Sequence, residues 1–113
     1  IEEGLYVAAF SSEIEMDKRK EYDIYGNMND ITRGVLRLGS AALALAYLAC
    51  GRIDGFWAKD LFSWDIAGGL ALINEAGGQV SSRQGKKHSL ESKIIIASNS
   101  NIHENLIKRL KDL

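Results

Sequence analysis

Proline is absent from these 113 residues and cysteine occurs once, at Cys50. A lone cysteine excludes an intrachain disulfide framework and fits a reducing, cytoplasmic setting. No apolar run reaches the ~20 residues that a membrane-spanning helix needs, and no signal-peptide pattern is visible. His88 and His103 stand apart, without the His/Cys/Asp spacing of a zinc site, and both read as surface residues. Neither sign of charge dominates, with 14 Lys and Arg against 15 Asp and Glu, so no global field draws in nucleic acid or a membrane. There is no P-loop, dinucleotide fingerprint or nucleophile elbow. Repeats, linkers and low-complexity segments are missing too, which leaves one domain.

What is present alternates between short apolar runs and helical patterns. Residues 5–10 (LYVAAF) read as a strand, and residues 18–31 carry Tyr22, Tyr25, Met28 and Ile31 at the spacing of a helix face. Val35, Leu36 and Leu38 form another short apolar segment. In residues 40–51 (SAALALAYLACG), Ser40 is a good N-cap and Gly51 a good C′ residue. The helix between them is apolar nearly all round, so burial on more than one side is expected, with Cys50 as inert core. Residues 52–58 (RIDGFWA) read as a strand, and a second clear helix runs over residues 65–76 with Gly77 as its stop. Short strands at residues 79–82 and 93–98 follow. A last helix starts at Asn101, with Glu104 as a capping-box partner and a stripe of Ile102, Leu106, Ile107 and Leu110. The chain opens at Ile1 rather than at a methionine and enters a strand almost at once, which reads as a start inside a larger protein. The fold class expected from this order is α/β, with helix and sheet layers alternating.

Residues 63–78 (SWDIAGGLALINEAGG) hold the most informative chemistry. Asp65 stands where a helix begins, beside free backbone N–H groups. A carboxylate there either caps the helix or is held out toward a cation or phosphate, and spacing alone leaves both open. Mg²⁺ takes one or two carboxylates together with water and substrate phosphate, so Asp65 alone does not complete such a site. Gly68 and Gly69 each cost about 0.8–1 kcal/mol against alanine inside a helix, which calls for close approach of a backbone or ligand. Residues 38–42 (LGSAA) form a second helix entrance, suited to an anion or a hydroxyl-rich ligand, or simply capped. Asp54 reads as an acid that satisfies nearby backbone, and Trp57 and Trp64 as packing anchors.

The order of four motifs carries a resemblance. G-S-A-A from Gly39, A-x-G-x-x-D-G from Ala49, W-D-x-A from Trp64 and E-A-G-G from Glu75 together resemble the C-terminal half of the inositol monophosphatase family, in its bacterial SuhB-like branch. The similarity runs from about Leu5 to the end of the chain. It implies that residues 1–113 are the C-terminal domain of the inositol monophosphatase/fructose-bisphosphatase-like fold, with the N-terminal metal-binding half outside this chain. It implies an Mg²⁺-dependent phosphomonoesterase that is a homodimer when intact and acts on inositol or sugar monophosphates. Asp65 is then a metal ligand, and Gly39, Ser40 and Ala41 line the substrate. The family's other metal ligands, its D-P-[IL]-D-G-T motif among them, lie in the missing half, so the 113 residues by themselves are expected to be inactive. Ala58 stands where inositol-preferring members carry a Glu, which weakens the expectation of an inositol phosphate. From another class, the resemblance also allows a non-catalytic SuhB-like binding module associated with the transcription machinery; near-neutral charge speaks against direct nucleic-acid contact.

Overall fold

A computed structural model of the chain describes residues 3–9, 19–38, 40–59, 63–81 and 94–110, with only the backbone of 63–66. Five strands form one sheet: β1 (Leu5–Ala9), β2 (Gly34–Leu36), β3 (Gly55–Lys59), β4 (Gln79–Ser81) and β5 (Ile94–Ser98), in spatial order β2-β1-β3-β5-β4. β1 pairs in parallel with β2 and β3, whereas β5 runs antiparallel to both β3 and β4. The four helices are α1 (Arg19–Ile31), α2 (Ala41–Ala49), α3 (Ser63–Glu75) and α4 (His103–Arg109).

Alternation along each central strand divides its side chains between two cores. Val7, Phe56, Ala58, Ile95 and Ala97 face one way, against Ala44, Leu45 and Leu48 of α2 and Ile73 of α3. Tyr6, Ala8, Trp57 and Ile96 face the other way, against Ile24 and Met28 of α1 and Leu106 and Leu110 of α4. The sheet is therefore covered on both faces, the α/β layering expected from the alternating pattern. Phe56 and Trp57 are both core residues because both faces are buried. The Trp57 ring lies 6.4 Å from that of Tyr6, tilted by 43°, as an anchor of the second core.

The helix ends follow from local chemistry. Ser40 has an extended backbone, and its Oγ accepts the N–H of Leu43 at 3.1 Å, which makes it the N-cap of α2. Gly51 and Gly77 both take φ +82°, and they close α2 and α3 with one and the same motif. The Gly51 N–H donates to Leu48 O and Arg52 N–H to Tyr47 O; likewise Gly77 N–H donates to Asn74 O and Gly78 N–H to Ile73 O. α1 is tied to β2 by the Tyr25 hydroxyl, which donates to Val35 O at 2.7 Å, and by Asn29 Oδ1, which accepts Val35 N–H at 3.2 Å.

Several expectations change. The buried stripe of α1 is Glu21, Ile24 and Met28, while Tyr22 points outward at 53% exposure. α2 is covered on two sides, by the sheet and by α3, as expected, while Leu43 on its outer side is 44% exposed. Cys50 is exposed at the C-cap of α2 rather than in the core, with its Sγ 3.5 Å from Tyr47 O. β3 starts at Gly55, because Asp54 turns its side chain to β1 before the ladder begins. α4 starts at His103, and Ile102 stands at its N-cap with no side-chain cap bond. Asn101 instead donates its N–H to Asn99 Oδ1 in a turn, so the expected capping box does not form.

The paired glycines of α3 separate into two cases. A Cβ on Gly69 would lie 2.6 Å from both Cβ and Cδ1 of Leu45, so α3 passes α2 at a distance only glycine permits. At Gly68 nothing described lies within 4 Å of the added atom. Gly69→Ala is expected to lower stability by about 1–3 kcal/mol through overpacking, whereas Gly68→Ala raises it by up to ~1 kcal/mol. Urea unfolding of the two variants side by side decides this; equal effects would remove the close approach as the reason for Gly69. By the same measurement, Ser40→Ala costs about 0.5–2 kcal/mol and Ser40→Gly only a few tenths.

Candidate functional site at the carboxyl edge of the sheet

The topology brings two segments singled out in the sequence to one edge. β1, β2 and β3 are parallel, so β2 and β3 end on the same side of the sheet. β2 leads to Ser40 and the start of α2; β3 leads to the start of α3. The strand order reverses around β1, which has β2 on one side and β3 on the other. In open α/β sheets, ligands settle outside the carboxyl ends of the strands at such a switch point. Two helix starts side by side bring the partial positive ends of two helices together, which favours an anion there.

α3 begins at Ser63, two residues before Asp65, so Asp65 belongs to its first turn. The side chains of residues 63–66, Asp65 and Trp64 included, lie outside the described residues, as does Gly39. Ser40 is exposed at the helix entrance with its Oγ engaged in the cap, and Ala41 is half-buried against the first core. Ala58 is fully buried on the same core face as Leu45 and Ile73, one residue before the end of β3. Among the described residues no group of three or more His, Cys, Asp or Glu could hold a metal ion.

The opposite edge is closed by polar bonds. Asp54 N–H donates to Leu5 O at 2.7 Å, and Asp54 Oδ2 accepts Leu5 N–H at 2.9 Å. The Asn99 N–H donates to Asp54 O at 3.2 Å, which brings β5 into the same junction. Asp54 thus satisfies backbone, as expected, but of a strand 49 residues away rather than of its own turn. Burial, together with the Asp54 charge, pushes the Tyr6 phenol up to about 12, so it stays protonated at neutral pH. Between the ends of α2 and α3, an open cavity of about 220 Å³ is lined by Gly51, Ile73, Gly77, Ser98 and Asn99 among others.

His103 departs most from the sequence reading. It is only 5% exposed, and its ring lies between two serine hydroxyls: Ser81 Oγ at 2.7 Å from Nε2 and Ser98 Oγ at 2.6 Å from Nδ1. Burial lowers its pKa below the usual imidazole value. One signal for this was in the sequence: His103 stands three residues before Leu106 and seven before Leu110, on the buried stripe of α4. His88 lies outside the described residues.

Comparison with known proteins bears on the whole chain. The model of the inositol monophosphatase family matches residues 2–113. An inositol-1-monophosphatase of Mesorhizobium japonicum is 54% identical over 78 residues, which cover 69% of this chain and 29% of that protein. The Nus factor SuhB of Pseudomonas aeruginosa is 42% identical over 80 residues, covering 71% of this chain and 30% of its own length. Among solved structures, inositol monophosphatase from Anabaena (Nostoc) sp. PCC 7120 superposes with a TM-score of 0.88 at 35% identity, over 99% of this chain and 44% of that one. The chain spans less than half the length of these relatives. A match of this extent shows that the chain belongs to the inositol monophosphatase family.

Proposed function

We propose that this chain is the C-terminal, substrate-facing domain of an Mg²⁺-dependent phosphomonoesterase acting on an inositol or sugar monophosphate. The observation that carries the reading is the pairing of two helix starts at the carboxyl edge, with Asp65 in the first turn of one and Ser40 at the entrance of the other. A phosphate dianion fits the partial positive ends of two helices, and a carboxylate in the first turn of α3 would help to hold a divalent cation. Such an ion, when bound, polarises a phosphoryl oxygen and lowers the pKa of a bound water.

The described residues do not make that metal site by themselves, since they contain no cluster of three ligating side chains. Asp65 is then one ligand, and the others come from the part of the relatives' length that this chain does not span. That part has a surface to pack on. Leu43 of α2 and Leu72 of α3 are 44% and 51% exposed, on the helices that flank the proposed site. Ser40 and Ala41 set the start of α2 against the substrate, and Gly39 leads into it. Ala58, where the resemblance expects a Glu in inositol-preferring members, is fully buried in the first core and offers no carboxylate to substrate hydroxyls.

In the intact protein, Asp65→Asn is expected to lower Mg²⁺-dependent phosphate release at least ~100-fold, because a metal ligand supports several kcal/mol of charge stabilisation. Unchanged activity in a folded variant would refute the ligand assignment. The 113 residues alone are expected to release no phosphate; release that requires Mg²⁺ and Asp65 would show that the ligands lie within them.

The relative named Nus factor SuhB favours a second reading, a non-catalytic binding module associated with the transcription machinery. Recovery of RNA polymerase or antitermination factors with the intact Asp65→Asn protein would support it. Full phosphatase activity with none of these captured would reject it.

A further inference from the structure

The hydrogen bonds around His103 fix its proton. The Ser98 hydroxyl donates to Asn99 O at 2.9 Å, so Ser98 Oγ is left to accept, and Nδ1, 2.6 Å away, must carry the hydrogen. Nε2 is then bare and accepts from the Ser81 hydroxyl at 2.7 Å. The result is a one-way chain, Ser81 to His103 to Ser98 to Asn99, in which each donor meets one acceptor and the imidazole is neutral. It joins β4, β5 and α4, three elements that adjoin nowhere else through buried polar side chains among the described residues.

We propose that His103 is an acid-sensitive latch: as the neutral Nδ1–H tautomer it holds the start of α4 on the β4–β5 edge, and on protonation it releases it. A proton on Nε2 turns that atom into a donor facing the Ser81 hydroxyl, which must then swing its own hydrogen away within a buried site. The same proton places a full charge on a residue that is 5% exposed and stands at the start of a helix, where positive charge is unfavourable.

Among the described residues, the charges around it do not offset this. α4 contributes Glu104 and Lys108, which line a shallow depression with His103, Gln79 and Ile107; they are exposed and opposite in sign. β4 presents Gln79 and Ser81, and β5 presents Ser98, all uncharged. Burial is therefore the force that keeps the ring neutral. α4 is also short enough to depend on the latch. Its seven residues are too few for an isolated helix, and Ile102 gives it no side-chain cap. Beyond the latch, Leu106 and Leu110 hold it to the second core.

Because the folded-state pKa lies below that of the unfolded chain, the latch is fully formed above the ordinary imidazole range. It is lost as pH falls through the folded-state value. The test is amide hydrogen exchange of the protein between pH 7.5 and 5, corrected for intrinsic rates, with the His103 ring followed by NMR. Protection of residues 103–110 is expected to fall at least tenfold as the ring titrates, while that of β1 and β3 holds. His103→Gln should remove this pH dependence. If it does not fold, Ser81→Ala should lower α4 protection at pH 7.5 and flatten its response to acid. A ring already charged at pH 7, α4 protection that stays constant through the titration, or a His103→Gln protein with the wild-type pH profile would each overturn the latch.

Discussion

The passage of α3 across α2 at Gly69 governs the arrangement of the first core and of the edge above it. With no Cβ between them, the Leu45 side chain meets the α3 backbone directly, and the two helices lie side by side on one face of the sheet. Each connects the carboxyl end of one strand to the next, so they run the same way, start at one edge and end at the other. A glycine inside a helix costs about 1 kcal/mol against alanine. Burial of Leu45 and Ile73 contributes about 1.5–3 kcal/mol each, so the packing gain exceeds the local cost. The cavity between Gly51 and Gly77 and the paired starts above are the two ends of the same parallel pair.

Much of what depends on a single segment could be read from the sequence, although the capping box expected at Asn101, itself local, does not form. Ser40 as a cap, Gly51 and Gly77 as stops, and the helices between them rest on bonds within a few residues, and they stand as expected. The stretches with a sustained apolar pattern became helices and strands with ends within about three residues of those expected. Features that depend on distant partners were not readable. Nothing near Asp54 signals that it pairs with Leu5, and nothing local tells His103 that Ser81 and Ser98 will flank it. Leu43 and Leu45 are both leucines of one apolar helix, yet only Leu45 faces the sheet, and α3 covers that side alone. The same asymmetry leaves Cys50 exposed at the helix end, although its neighbours in sequence are apolar.

The candidate site shows the same division. Local physics placed Asp65 near a helix start and left open whether it caps or binds; the fold sets it in the first turn, beyond the cap position. The ordered motifs supplied the family, which the comparisons then showed. Spacing could not reveal that Gly69 serves a neighbouring helix while Gly68 meets nothing described. Adjacent glycines in a helix are thus two questions, and a reading that assigns both to a ligand conflates packing with binding.

The two edges of the sheet are built on opposite principles. At the amino edge, backbone groups are tied down by side chains or by one another: Asp54 closes β1 to β3, Asn99 joins β5 to that junction, and each glycine stop engages two carbonyls in the last turn of its helix. At the carboxyl edge, the Ser40 cap satisfies one donor of α2, and helices leave four N–H groups at their starts without partners of their own. The first edge fixes strand register and so fixes where the second edge lies. A phosphate-binding surface needs free donors, and free donors in a rigid place need the rest of the backbone to be satisfied elsewhere. The polar closure around Asp54 is therefore a condition for the anion binding proposed at the other edge.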